Sequence, residues 1–257
     1  MCELLGITSR EKLYANDLLR EFFGHSDLQP DGWGLAILDS AGKEIHKEPI
    51  EASRSRKLKE LLENRICTGR AIAHIRKATI GSIDDYNTHP FSGKDITGRI
   101  WTLVHNGTVF EAEQLHKYVY YQQGSTDSER ILLYIIDKVN RYINLDSDLS
   151  DINIRASLIE KLILDIVPRN KLNLLIDDGE YLYAHKNEAG TLFFCEENAT
   201  TILSTKPLNN GTWKELPENR LFVYKDGSII YEGVRHEHSY AHDDERMKTL
   251  YMEYAAL

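Results

Sequence analysis

Cysteine is scarce. Cys2, Cys67 and Cys195 are the only three in 257 residues. The count is odd and no pair is spaced as CxxC, which argues against a disulfide scaffold and against a zinc ribbon. Such usage suits a reducing compartment, and a cytoplasmic protein is expected. Basic residues are outnumbered: 31 Lys and Arg stand against 40 Asp and Glu, a net charge of -9. Nonspecific nucleic-acid binding needs cations to displace phosphate counterions, so no nucleic-acid partner is expected. The chain has no run of about 18 apolar residues, so no membrane span is expected. No basic stretch followed by an apolar core opens the chain, so no secretory signal is expected. There is no Gly-rich phosphate loop and no HExxH pattern, so neither a nucleotide, a metal nor any other cofactor is expected. No Pro-, Gly- or Ser-rich linker divides the chain, and no repeat recurs.

What remains is ordinary globular composition, 42% hydrophobic and 28% charged. Strands are expected at 3–8, 32–38, 70–77 and 100–105, the last closed by the turn pair Asn106-Gly107. In the segment 70–77, Ala71, Ala73 and Ile75 fall on one face and Ile72, His74 and Arg76 on the other. Helices are expected at 54–64, from the capping box Thr126-Asp127-Ser128-Glu129 onward, at 152–166 and at 238–254. Short strands at 172–176, 181–185, 191–195 and 220–224 follow, with Asp177-Asp178-Gly179 and Asp226-Gly227 as hairpin tips. Many short strands with a few long helices indicate a layered α+β fold.

Four features carry chemistry. Cys2 follows the initiator Met, and removal of Met1 would give one residue both a thiol and a free amine of ordinary pKa about 7.7–8.0, a nucleophile beside its own base. Taken alone, Cys2 is also what the start of any buried strand could hold. Arg76 and Thr79, near the end of a strand, offer a bidentate carboxylate ligand and a hydroxyl, although a surface Arg is the commoner case. Asn106 and Gly107 offer an amide and an unhindered N–H, two donors suited to an oxyanion, or simply a hairpin turn. Asp127 stands in the first turn of a helix, where the dipole favours an acid and where a substrate ammonium could be held.

In this order the blocks Met1-Cys2-Glu3-Leu4-Leu5-Gly6, Pro30-Asp31-Gly32-Trp33-Gly34, His74-Ile75-Arg76-Lys77-Ala78-Thr79, Thr88-His89-Pro90-Phe91, His105-Asn106-Gly107 and Thr126-Asp127-Ser128-Glu129 resemble the class II glutamine amidotransferases, standalone bacterial members above all. The resemblance covers roughly residues 2–232, including Leu203–Leu208 and Trp213. It implies residues 2–232 as the amidotransferase domain and 233–257 as a helical C-terminal extension packed on it. It implies an N-terminal-nucleophile αββα sandwich, two antiparallel sheets between helical layers. It also implies roles: Cys2 attacks the glutamine side-chain amide to form a γ-glutamyl thioester and release ammonia, and Asn106 and Gly107 hold the oxyanion. Arg76 pairs with the substrate carboxylate, with Thr79 and His89 in support, and Asp127 takes the ammonium. Two departures fall at the loop expected to close over the substrate: Leu28-Gln29 where many members have Arg-Gly, and Lys77 where synthase-linked members often have Trp.

The ammonia is expected to be released alone or passed to a separate synthase partner, since few residues follow Gly233; a homo-oligomer is compatible with this. Two other readings stay open. The same head-group residues would serve a hydrolase of larger γ-glutamyl amides, and a catalytically silent binding protein would retain Met1. His74 and His105 are expected to pack beside the site, the tail histidines His236, His238 and His242 to face solvent, and Cys67 and Cys195 to be buried.

Overall fold

The computed structural model describes residues 2–39, 43–79, 81–145 and 148–255; Met1, whose removal the sequence reading invokes, lies outside them. The strands in chain order are β1 (Glu3–Tyr14), β2 (Trp33–Ile37), β3 (Glu44–Glu48), β4 (Cys67–Ile75), β5 (Phe91–Lys94), β6 (Ile100–Thr108), β7 (Lys171–Asp177), β8 (Leu182–Lys186), β9 (Phe193–Glu197), β10 (Thr200–Ser204), β11 (Trp213–Glu215), β12 (Arg220–Lys225) and β13 (Ser228–Glu232). The helices are α1 (Asn16–Gly24), α2 (Arg56–Glu63), α3 (Asp127–Asn144), α4 (Ile152–Ile166) and α5 (Asp244–Ala255). One sheet runs β11-β9-β10-β1-β4-β2-β3 and the other β13-β12-β8-β7-β6-β5, and every pairing is antiparallel.

Strand alternation sorts the core into three layers. Leu5, Ile7, Ala71, Ala73 and Ile75 face outward with Leu19, Phe22 and Leu58 of α1 and α2. Leu4, Ile72, Val104, Leu175 and Leu203 meet between the sheets. Leu103, Leu172, Leu174 and Ile176 pack against Ile131, Ile135, Ile159 and Ile163 of α3 and α4. The order is therefore helices, sheet, sheet, helices, the expected αββα sandwich.

Local chemistry starts the helices. Ser55 Oγ accepts from Leu58 N at 2.9 Å, Thr126 Oγ1 from Glu129 N and Asp151 from Asn153 N. The reciprocal half of the expected capping box is redirected: the Glu129 carboxylate accepts from Gln123 N and Gly124 N, both at 2.8 Å. Helix α4 matches its expected span. Cys195 is buried as expected, whereas Cys67, at the exposed start of β4, is not.

Gly34 marks where the second sheet's approach loop crosses the first. A Cβ there would lie 1.9 Å from the His89 carbonyl oxygen. Backbone cannot yield as a flexible side chain does, so Gly34→Ala should lower stability by about 2 kcal/mol or more. Gly24 has open space around it and an ordinary helical φ of -62°. Gly24→Ala should be neutral or stabilising by up to about 1 kcal/mol. Urea midpoints of the two variants test this, and equal midpoints would contradict it.

Candidate active site

The same alternation gathers chemistry at one end of the gap between the sheets. Leu4 points into that gap, so Cys2, two residues earlier, does too. Residue Leu4 pairs with His74 on the neighbouring strand, which carries the chain on to Arg76 beside Cys2. On the facing sheet Val104 points inward, and Asn106 follows it with the same parity. The helix α3 then brings Asp127 to the same end.

Six of the seven residues singled out from the sequence border one cleft of about 350 Å³, its mouth included: Cys2, Arg76, Thr79, His89, Gly107 and Asp127. Asn106 lies buried at 3% exposure, and its Nδ2 has no hydrogen-bond partner among the described residues. A buried amide N–H₂ left unpaired is costly, which marks it as a donor awaiting a ligand oxygen. One expectation fails. Asn106-Gly107 is no turn but part of β6, paired with Asn173 and Leu172. The glycine is required for another reason: a Cβ on Gly107 would lie 2.0 Å from Lys171 O and 2.2 Å from His105 Nε2.

The thiol of Cys2 lies 3.3 Å from both the N–H and the carbonyl of Lys77; the N–H donates to Sγ. Burial pushes the thiol pKa up, opposed by the Lys77 N–H and by the charges of Arg76 and Lys171. A thiol so held has no standing thiolate at neutral pH and needs a base.

Arg76 follows β4 directly. Its guanidinium donates to Ser82 O at 3.0 Å and Gly81 O at 3.3 Å. Its N–H donates to Gly32 O at 2.7 Å, and its carbonyl accepts from Asp31 N at 3.0 Å. Asp31 Oδ2 also accepts from Ala78 N at 2.8 Å. The Pro30-Asp31-Gly32 block therefore works as a bracket for the 76–78 segment, a role the sequence reading did not assign. Burial lowers the Arg76 pKa, countered by Cys2, Asp31, Asp84 and Asp127, and it remains a cation.

Asp127 Oδ2 accepts from Val109 N at 2.7 Å, and Ser128 Oγ is 3.2 Å from Oδ1. His105 joins Ser128 Oγ at 3.0 Å through Nδ1 and Lys171 O at 3.0 Å through Nε2. His105, Ser128, Thr108, Thr126, Lys77 and Ala78 complete the lining. The parity of β6 hid His105, because its own face looks toward α3. His89 stacks on His74, ring centroids 4.1 Å apart, with Phe91 edge-on at 4.7 Å. The tail departs from expectation: His236 is half-buried, its Nε2 3.0 Å from that of His185, while His238 and His242 are exposed.

A sequence model of the class II glutamine amidotransferases matches residues 1–196. The chain belongs to that family. It is 31% identical over 263 residues to an uncharacterized protein of Methanocaldococcus jannaschii, covering 91% of this chain and 72% of that one. With a protein of Escherichia coli provisionally named a glutamine amidotransferase it shares 28% identity over 252 residues, 86% of this chain and 97% of the other. Among solved structures, a predicted glutamine amidotransferase from Pseudomonas aeruginosa superposes with a TM-score of 0.64 at 20% identity, over 90% of this chain and all of that one. Glutamine phosphoribosylpyrophosphate amidotransferase from Bacillus subtilis gives 0.66 at 18%, over 89% and 48%. At those identities the likeness speaks to the fold. No helix among the described residues is long and apolar enough to cross a membrane.

In this chain the cleft rests on buried imidazoles, and these make stability pH-dependent. Burial pulls the His74 pKa down to about 3. Unfolded, it returns to about 6.5. Above pH 6.5 both states are neutral and stability is full. As pH falls from 6.5 toward 3 the unfolded chain takes a proton that the folded chain refuses, so stability is lost across that window. Between pH 7.5 and 4.5 this residue should account for about 3 kcal/mol. His74→Leu should flatten the fall in urea midpoint over that range. An identical fall in variant and wild type would contradict it.

Proposed function

We propose that the chain hydrolyses the side-chain amide of glutamine through a γ-glutamyl thioester on Cys2 and releases ammonia. The observation that carries this reading is the charge pattern around the thiol. A cation, Arg76, and an anion, Asp127, border the same small cleft as Cys2. An α-amino acid offers the complementary pair, and the unpartnered amide of Asn106 supports its reading as a donor for the developing negative charge.

Removal of Met1 gives Cys2 a free α-amine. That amine takes the thiol proton, and the sulfur forms a bond to the amide carbon. The carbonyl electrons move onto oxygen, held by Asn106 Nδ2 and the Gly107 N–H. The intermediate collapses, the C–N bond breaks, and the amine returns its proton to the departing nitrogen, which leaves as ammonia. Water then attacks the thioester, releasing glutamate and restoring the thiol. Arg76, Thr79 and His89 serve the carboxylate end and Asp127 the ammonium end.

A glutamine-like electrophile should add one equivalent to Cys2 in the intact mass, on a chain lacking Met1. Cys2→Ala should abolish both labelling and ammonia release while the fold persists. Full activity with Met1 retained would sink the base assignment, and ammonia release by the alanine variant would remove Cys2 as nucleophile.

Arg76→Ala and Asp127→Ala should each raise KM for glutamine at least about tenfold, about 1.4 kcal/mol, and combine non-additively because they grip one small ligand. Asn106→Ala should instead lower kcat by about 10²–10³. Asparagine, one methylene shorter, should be a poor substrate. Equal turnover of asparagine and glutamine would refute the head-group assignment. A larger γ-glutamyl amide far outperforming glutamine would keep the mechanism and change the substrate.

A further inference from the structure

Strand β6 ends at Thr108, and the Val109 N–H that follows leaves the sheet ladder. Its partner is a side chain: it donates to Asp127 Oδ2 at 2.7 Å. With the Ser128 hydroxyl donating to Oδ1 at 3.2 Å, it orients a carboxylate that borders the cleft. The aim of Asp127 therefore depends on where the 109–111 segment is held.

Two supports hold that segment, and both lead to the chain beyond β13. From within, Asn170 Oδ1 accepts from Phe110 N at 2.8 Å and Glu111 N at 3.1 Å, and its Nδ2 donates to Glu111 O at 2.7 Å. Asn170 O in turn accepts from Asn187 Nδ2 at 2.8 Å. An amide nitrogen carries two hydrogens, and the other one of Asn187 goes to His238 O at 3.1 Å. Asn187 O accepts from Tyr240 N at 2.6 Å. Asn187 is fully buried, and its polar atoms join Asn170 to the tail. From outside, two tail side chains lie against the Phe110 ring. Tyr240 stacks on it, 12° from parallel with centroids 6.3 Å apart, and the Arg246 guanidinium of α5 lies 4.4 Å from its centroid. Arg246 also donates to Arg169 O at 2.5 Å, next to Asn170. The tail is otherwise a thin strap, with Val234, Glu237, His238, Ser239 and His242 exposed. An element of this kind opens more readily than the core, so what it holds depends on these few contacts.

We propose that Tyr240 and Arg246 are positioning residues for the glutamine site: by clamping Phe110 they keep the Val109 N–H on Asp127 and so set the carboxylate that receives the substrate. The tail thereby contributes to substrate binding without touching substrate. This rests on the proposed glutamine reading.

Tyr240→Ala and Arg246→Ala, made separately so that either one suffices if the other fails to fold, should each raise KM for glutamine about threefold or more and leave kcat little changed. Hydrogen exchange at the Val109 amide should accelerate in both by a similar factor. In an Asp127→Ala background neither should raise KM further, because the group they act through is gone. An equal rise in KM with Asp127 present or absent would mean that the tail acts by another route and would overturn the inference. So would unchanged KM, or unchanged Val109 exchange, in either folded variant. If the wild-type chain hydrolyses no glutamine, the functional reading fails instead, and the Val109 exchange rate still decides the clamp.

Discussion

The register between β1 and β4 is the constraint on which the site depends. Glu3 stands opposite Ile75 and Leu4 opposite His74. Side chains alternate faces with period two, so a slip of β1 by one residue would send Cys2 to the outer face, away from Arg76, and bring Glu3 inside. The burial of both faces forbids that slip. Outward, Leu5 and Ile7 are needed against α1 and α2; inward, Leu4 is needed between the sheets. Hydrophobic packing along the strands thus sets the aim of polar groups at their ends. Glu3 adds a polar lock. It is 1% exposed and meets His25 Nδ1 at 2.9 Å, Gln29 at 3.2 Å and Lys206. Replacing its carboxylate alone would leave a buried set of donors unmatched, so this pairing discriminates against other registers more than it adds net stability.

The opposite end of the sandwich has its own buried charges. Arg155, fully buried on α4, pairs with Asp178 at 2.9 Å and Glu180 at 3.0 Å, with Tyr181 beneath its guanidinium at 4.6 Å. Arg70 pairs with Asp177 at 2.6 Å. These ion pairs neutralise charge there, although Arg155 Nε has no hydrogen-bond partner among the described residues. The other end keeps its polar groups unsatisfied: Asn106 Nδ2 and both ring nitrogens of His74 and of His89 lack partners among the described residues.

Much of this was legible in the sequence because period-two and period-3.6 patterns survive wherever one face is buried. The face assignment of Ala71, Ala73 and Ile75 against Ile72, His74 and Arg76 was readable from alternation alone. So was the start of α3 from Thr126 and Glu129, and the whole of α4. Asn106-Gly107 misled because turn chemistry and close packing both select glycine. Only the neighbouring strand, with Lys171 O where a Cβ would go, tells them apart. Helix α1 was missed because it is only nine residues long and no side chain caps its start, and β3 because it is a half-buried edge strand with little pattern. His236 could not be assigned, since its partner His185 lies 51 residues away. The bracket from Asp31 to Ala78 likewise spans 47 residues that no local signal connects.

The central place of β1 has a consequence for how the molecule is made. This strand is synthesised early, yet one of its neighbours is β10, with Leu5 opposite Ser204 and Leu4 N donating to Thr205 Oγ1 at 2.9 Å across 201 positions. Closing so long a loop is entropically costly, and topologies with such distant partners assemble slowly. At ribosomal speeds of about 5–20 residues per second, roughly ten seconds or more separate the emergence of the two strands. Through that interval β1 lacks one of its neighbouring strands. Completion of the sheet is thereby delayed by chain connectivity, with no dedicated device.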